Sequence, residues 1–262
     1  MAFTLGPLAQ STGYRLAIFD QIGSTNSEAL ARANAGERGP MWFVTSEQTA
    51  GRGRRHRSWA APRGNLASSV LETIDVAPAV AATLGFAAGL ALQAALQAVA
   101  GGASIGFSLK WPNDVLAGEA KLAGILLEAE ARPDGELAVV VGMGTNVVAA
   151  PEGTPIPATS LWALGVETRA EKVFTALSDS WAECRGIWDQ GRGFAEIRRR
   201  WLALAAGLGQ PVMVHTGQVT VSGIFDTIDD AGCMIVRTSS GESVLISAGD
   251  VYFGVAASTR AG

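Results

Sequence analysis

Cysteine, histidine and lysine are all scarce in this chain of 262 residues, and each scarcity excludes a class of chemistry. The 2 cysteines, Cys184 and Cys233, stand far apart without metal-ligand spacing. They read as free thiols, not as a disulfide framework or a redox pair. The 2 histidines, His56 and His215, are too few and too separated to suggest a zinc site. A net charge of −4 gives no basic face for general nucleic-acid binding. No basic segment followed by an apolar core opens the chain, so no secretory signal is expected. Two nucleotide signatures are also missing. The P-loop's lysine followed by serine or threonine is absent from the glycine-rich Gly51–Gly53 stretch. His56 stands where a dinucleotide fingerprint has its third glycine. A second glycine pair, Gly142-Met143-Gly144, follows a strand, but residues 145–157 form no helix pattern, so the pair reads as a close backbone turn.

Hydrophobic residues make up 48% and charged residues 17%, the balance of a well-packed globular protein. One run, 76–100, is apolar and about long enough to span a bilayer, for which roughly 20 residues suffice. It is rich in alanine and glycine, carries Gln93 and Gln97, and lacks flanking basic anchors. It reads as a helix buried in a soluble domain, with Pro78 in its first turn.

Strands are expected at 16–20, 42–45, 66–71, 107–110, 121–129 and 137–141. Helices are expected from Ser24 to about Asn34, ended by Gly36, and over 171–188 and 194–206. Pro151, Pro155 and Pro157 mark a loop. Together these elements predict a sheet covered by helices on at least one face. After Gly207-Leu208-Gly209 the texture changes to short strands at 211–216, 219–225, 234–238 and 244–246 with tight turns between them. That pattern predicts a small all-β module, a little barrel or folded meander. The expected division is 1–208 and 209–262.

Against this background the segment from Gly51 to Trp59 stands out, with 4 arginines and 2 glycines in 9 residues. Like charges repel, and glycines raise the cost of ordering. Either this is a solvated turn, or an anion balances it, with guanidinium forks matching phosphate or carboxylate oxygens. The chain has 3 lysines against 17 arginines, and Lys110 and Lys121 bracket the turn Trp111-Pro112-Asn113-Asp114. They are surface residues kept by chance, or a compact ammonium is needed there. Asp114 suits a metal ion, a cation partner or a turn cap. Thr25 and Glu28 have capping-box spacing, and Ser24 and Thr25 could also donate to a ligand at the helix start.

Five segments, taken in order, resemble the signature blocks of biotin protein ligases. They are Ser24-Thr25-Asn26, Gln48 to Arg55, Lys110 to Asp114, Lys121 to Leu126, and Gly142 to Asn146. Gly209-Gln210-Pro211-Val212 and Ala248-Gly249-Asp250-Val251 resemble the ends of that family's SH3-like C-terminal domain. The resemblance implies an α+β fold, a mixed sheet covered by helices with a small SH3-like β-barrel domain. It implies a cytoplasmic enzyme that condenses biotin with ATP and Mg²⁺ into biotinyl-5′-AMP and then transfers biotin to a lysine of a biotin carboxyl carrier protein, such as that of acetyl-CoA carboxylase. No nucleic acid or membrane partner is expected, a repressor's DNA-binding domain is not implied, and a homodimer is left open. A lipoate or octanoyl ligase, or a non-catalytic biotin sensor, are the alternatives.

The same resemblance assigns roles. Lys121 and Arg54, with Arg57 and Mg²⁺, would neutralise phosphoryl charge. Ser24, Thr25 and Gln48 would bond the ureido ring, with Asn26, Gly51, Arg52 and Gly53 in the same pocket. Gly124 would leave room for the valeryl chain, Trp59 would cover the adenine side, and Asn146 would contact adenine. Lys110 and Asn113 belong to the set. Asp114 is the candidate to accept the carrier amine's proton, with a metal-binding or orienting role equally open. Two departures stand: His56 replaces a glycine in the arginine loop, and Thr145-Asn146 replaces the more usual Ile-Asn.

Overall fold

The computed structural model describes residues 2–102, 105–154 and 156–253. Pro155 of the expected loop, the side chain of His56, and residues 254–262 of the expected C-terminal module lie outside the described residues. Seven strands form the larger sheet: β1 (Arg15–Phe19), β2 (Met41–Thr45), β3 (Leu66–Ile74), β4 (Phe107–Lys110), β5 (Asp114–Ala117), β6 (Ala120–Ala131) and β7 (Leu137–Thr145). Their order is β1-β2-β3-β7-β6-β5-β4. The β1–β2 pair is parallel and the others are antiparallel, so the sheet is mixed as expected.

Side chains alternate between the two faces of a strand, and this parity positions the site. Trp42, Val44, Val70, Val139 and Val141 face one way into the main core. That face is covered by the helices α4 (Leu84–Ala100) and α5 (Ala170–Trp188). Trp42 packs edge-on against Phe174 and Trp181 of α5. Phe43, Leu71, Ala138 and Val140 face the other way, beneath Ala29 and Ala33 of α2 (Thr25–Asn34). The second face is only partly roofed by α2. Past its N-terminus, Gly124 and Gly144 are left to line something else.

The apolar run is a core helix system: α3 (Pro78–Ala82) and then α4, broken at Thr83, whose hydroxyl accepts from Trp188 Nε1 at 2.7 Å. Of its most apolar 18-residue window, 67% is buried inside the protein. Gly101, at φ +61°, ends it in the left-handed cap that favours glycine. A short helix α1 (Pro7–Ser11) and strand β5 were not anticipated; both are 4 to 5 residues long, below the length at which periodicity is legible. The helix α6 (Phe194–Ala203) is three residues shorter at its end than expected.

Two local expectations need correction. Ser24, not Thr25, caps α2: its Oγ accepts from Ser27 N at 3.4 Å, and Glu28 pairs with Arg32 at 2.8 Å one turn on. Gly142 and Gly144 are not a turn but lie inside β7. A Cβ at Gly142 would overlap Asn26 Oδ1, and one at Gly144 would sit 2.5 Å from Trp59 Nε1. The glycines are there for close approach across the sheet face.

The C-terminal strands β8 (Pro211–His215), β9 (Thr220–Ile228), β10 (Met234–Arg237), β11 (Ser243–Ile246) and β12 (Asp250–Phe253) form an antiparallel sheet ordered β11-β10-β9-β8-β12. Val212, Val214, Phe225 and Val236 are its buried interior. It docks on the larger unit through Trp111 Nε1 of the β4–β5 turn, which donates to Gly232 O at 3.1 Å, and through Arg198 Nη1 of α6, which donates to Ile228 O at 3.0 Å. β12 was not anticipated as a strand, and it brings two residues to the site.

Candidate active site

The unroofed part of the sheet face is the floor of a cavity of about 160 Å³. Its walls come from four places: the start of α2, the loop 48–59, the β4–β5 hairpin with β6, and β12. Of the residues expected from sequence, Ser24, Thr25, Asn26 and Gln48 meet at one end. Lys110, Asn113, Asp114 and Lys121 meet at the other, with Gly124 between. Arg52, Gly53, Arg54, Arg57 and Trp59 close the cavity from above. Gly51 and Asn146 are not in its wall. Gly51 supports the loop instead, where a Cβ would meet Trp59's carbonyl and lie 2.9 Å from Gln48 Nε2. Asn146 is buried behind the wall: its amide N donates to Thr159 O at 3.1 Å, and its Oδ1 has no partner among the described residues.

One end of the cavity is neutral and held by hydrogen bonds. Gln48 Oε1 accepts from Thr25 N at 2.8 Å and from Thr25 Oγ1 at 3.1 Å. Ser69, missed at sequence level, supports both neighbours: its Oγ lies 2.7 Å from Thr25 Oγ1 and 2.5 Å from Asn26 Oδ1. Its place on β3, two residues from Leu71 on the same face, is the signal that could have found it.

The other end is cationic. Lys121 Nζ lies 2.6 Å from Asp114 Oδ1 and 5.4 Å from the Trp59 ring centre. The Trp59 indole lies across Gly124 and Gly144, which face each other on β6 and β7. Lys110 is buried, with its ammonium 5.2 Å from the ring centre of Phe253 on β12. Arg54 reaches only the neutral Asn113 Oδ1, at 3.2 Å. Among the described residues, neither Lys110 nor Arg54 has a carboxylate oxygen within 4.0 Å. Burial pushes both below their ordinary values; for Arg54 the neighbouring Arg55 adds to this. Two desolvated cations without carboxylate partners among the described residues face one cavity, a costly arrangement.

The arginine loop is a compact lobe. Gly53 N donates to Arg57 O at 2.7 Å and Trp59 N to Gly51 O at 2.9 Å, around a single 3₁₀ turn at Arg54–His56. Three of the loop's four arginines are balanced neither by solvent alone nor by a ligand but by the protein's own acids. Arg52 pairs with Glu128 of β6 at 2.6 Å, and Arg55 and Arg57 both pair with Asp250 of β12, at 3.1 and 2.5 Å. Neither acid was singled out from sequence, because both come from strands remote in the chain.

Residues 19–146 match the biotin/lipoate A/B protein ligase family, and residues 207–254 match the biotin protein ligase C-terminal domain. The chain is similar to a biotin–[acetyl-CoA-carboxylase] ligase of Paracoccus denitrificans, with 41% identity over 88% of this chain and 97% of the relative. It is also similar to one of Mycobacterium tuberculosis, with 37% identity over 93% and 91%. Among solved structures, the biotin protein ligase of Aquifex aeolicus in complex with biotin and ATP superposes with a TM-score of 0.75 at 25% identity, covering 92% of this chain and 99% of that one.

Proposed function

This chain belongs to the biotin/lipoate A/B protein ligase family, and from that premise we propose how it works. It is an ATP-dependent biotin protein ligase that acts as a biotin–[acetyl-CoA-carboxylase] ligase. The observation that carries the assignment of roles is the pair of cations, buried Lys110 and half-buried Arg54, facing a cavity whose far end is neutral and amide-lined. Biotin offers a carboxylate at one end and an uncharged ureido ring at the other, and the cavity has the same polarity.

In the first step a carboxylate oxygen of biotin attacks the α-phosphorus of ATP. The bond to the β-phosphate's bridging oxygen breaks, and pyrophosphate leaves with the electron pair. Carboxylate is already a nucleophile, so the protein's task is to hold two anions in line and neutralise the charge that builds. Lys110, Lys121 and Arg54 are the groups placed to do so. Arg57 is engaged by Asp250 and contributes only if that pairing is exchanged for phosphate. In the second step the neutral amine of a carrier-protein lysine attacks the acyl carbon, AMP leaves with the electron pair of the broken acyl C–O bond, and the amine's proton passes to solvent. Asp114 lies against the Lys121 ammonium, which supports an orienting role over that of proton acceptor.

Mg²⁺ would enter the site with the nucleotide's phosphates. The cavity's carboxylates, Asp114 and Asp250, are each engaged by cations, and the described residues hold no group of 3 or more His, Cys, Asp or Glu that could bind a metal. We also propose the division 1–208 and 209–262, a carrier-protein acceptor, and a cytoplasmic setting without membrane contact, which two free cysteines and the buried α4 support.

The test is mass spectrometry of a carrier domain incubated with the protein, ATP, Mg²⁺ and biotin. Addition of one biotinyl group at a lysine is expected. Modification with lipoate in place of biotin would transfer the reading to the other branch of the family.

A further inference from the structure

We propose that Glu128 is a positioning residue that couples the amide-lined end of the cavity to closure of the arginine loop. The inference rests on the reading of this cavity as the biotin and ATP site, and it deepens that reading. Glu128 stands outside the cavity wall, and the site roles drawn from the sequence do not include it. Parity along β6 places it on the same face as Gly124 and Leu126, opposite Val140 of β7. From there one oxygen, Oε2, accepts from two groups: Asn26 Nδ2 at 2.9 Å and Arg52 Nη2 at 2.6 Å.

These bonds complete an unbroken chain. Gln48 is bonded to Thr25, Thr25 and Asn26 to Ser69, Asn26 to Glu128, and Glu128 to Arg52. One end is the group of hydroxyls and amides that faces a neutral ring. The other is the first arginine of the lobe that covers the cavity. Gly142 makes the middle link fit, because any side chain there would occupy the place of the Asn26 amide.

An exposed ion pair alone is worth little, and this one is half-exposed, with side-chain exposures of 41% for Arg52 and 27% for Glu128. What distinguishes it is the shared acceptor. Removing the charge on Glu128 weakens the hold on the loop and on Asn26 together, so a change at one end is felt at the other. Arg52 therefore serves as an anchor of the loop and not as a phosphate ligand, which leaves Arg54 as the loop's charge toward the nucleotide.

The experiment is biotin-dependent pyrophosphate–ATP exchange with the full chain and Glu128→Gln. The variant is expected to raise KM for biotin about tenfold, with kcat and KM for ATP held within about threefold. Biotin should protect the loop from trypsin in the unaltered protein and fail to do so in the variant. A double-mutant cycle with Arg52→Ala should be non-additive in KM for biotin, because both changes break one bond. An unchanged KM for biotin in Glu128→Gln, or an additive cycle, overturns the inference. If Glu128→Gln does not fold, Arg52→Met carries the same test from the exposed partner, with the same expected rise and the same refutation. No exchange by the unaltered chain overturns the functional reading and this inference together, whereas exchange with an unmoved KM in the variant overturns the inference alone.

Discussion

Lys110→Met should make the protein more stable and less active, and the two effects have one cause. The Lys110 ammonium is buried against Phe253, without a carboxylate within 4.0 Å among the described residues. Burial pulls its proton affinity down from the ordinary 10.5, so folding pays to keep it charged. Methionine has nearly the same length and no charge. It loses a cation–π contact of about 0.5–1 kcal/mol and regains a sulfur–aromatic contact of roughly 0.3–1.5 kcal/mol, so those terms offset. Replacing buried ionic groups by apolar ones of similar volume is often neutral or stabilising by roughly 1–4 kcal/mol. A gain of about 1 kcal/mol corresponds to a rise of roughly 2–4 °C in Tm for a protein of this size. Adenylation should fall by about 10²–10³, the usual loss when one preorganised charge stabiliser is removed. Calorimetry and pyrophosphate exchange read the two quantities.

The pH dependence sharpens the test. At neutral pH Lys110 is charged in both the folded and unfolded states, and only the folded state bears the desolvation cost. Above the folded-state value, which lies below 10.5, the folded state sheds the proton and escapes that cost. The stability advantage of Lys110→Met should therefore be full at neutral pH and shrink as pH rises toward 10.5. A variant that is less stable than the unaltered protein at neutral pH, or whose advantage does not change with pH, would refute the account of a cation held in deficit for an anionic substrate.

Gly142→Ala should be destabilising by about 2–4 kcal/mol, since the Asn26 amide must leave its bonds to Ser69, Leu126 and Glu128; chemical denaturation checks this. Asp250→Asn releases Arg55 and Arg57, exposed pairs worth about 0–1 kcal/mol each, so trypsin cleavage between 52 and 57 should quicken a few-fold while Tm stays nearly constant. An unchanged cleavage rate would mean that β12 does not hold the loop. Burial pushes the Cys184 thiol up to about 12 from 9.0, so it should resist thiol reagents in the native state and react on unfolding. Because the unfolded thiol ionises first, its contribution to stability is intact below pH 9 and declines as pH climbs toward 12, which Cys184→Ser should abolish.

Much of this protein is legible one segment at a time, wherever the physics is local. Apolar, partly β-branched runs in 42–45 and 137–141 mark strands, Gly36 marks a helix end, and the crowding of Arg52, Arg54, Arg55 and Arg57 marks a loop. The order of the short blocks from Ser24 to Asn146 was enough to name the chemistry. What the chain alone left undecided depends on contacts between strands far apart in sequence. Gly142 and Gly144 look like a turn until β7 is laid beside Asn26 and Trp59. Glu128 and Asp250 look like ordinary surface acids until folding sets them against three of the four arginines. Which of the cavity's cations lack a carboxylate partner among the described residues, Lys110 and Arg54, is a property of that sum. Charge balance and close approach are set by distance in space, and only the folded sheet supplies those distances.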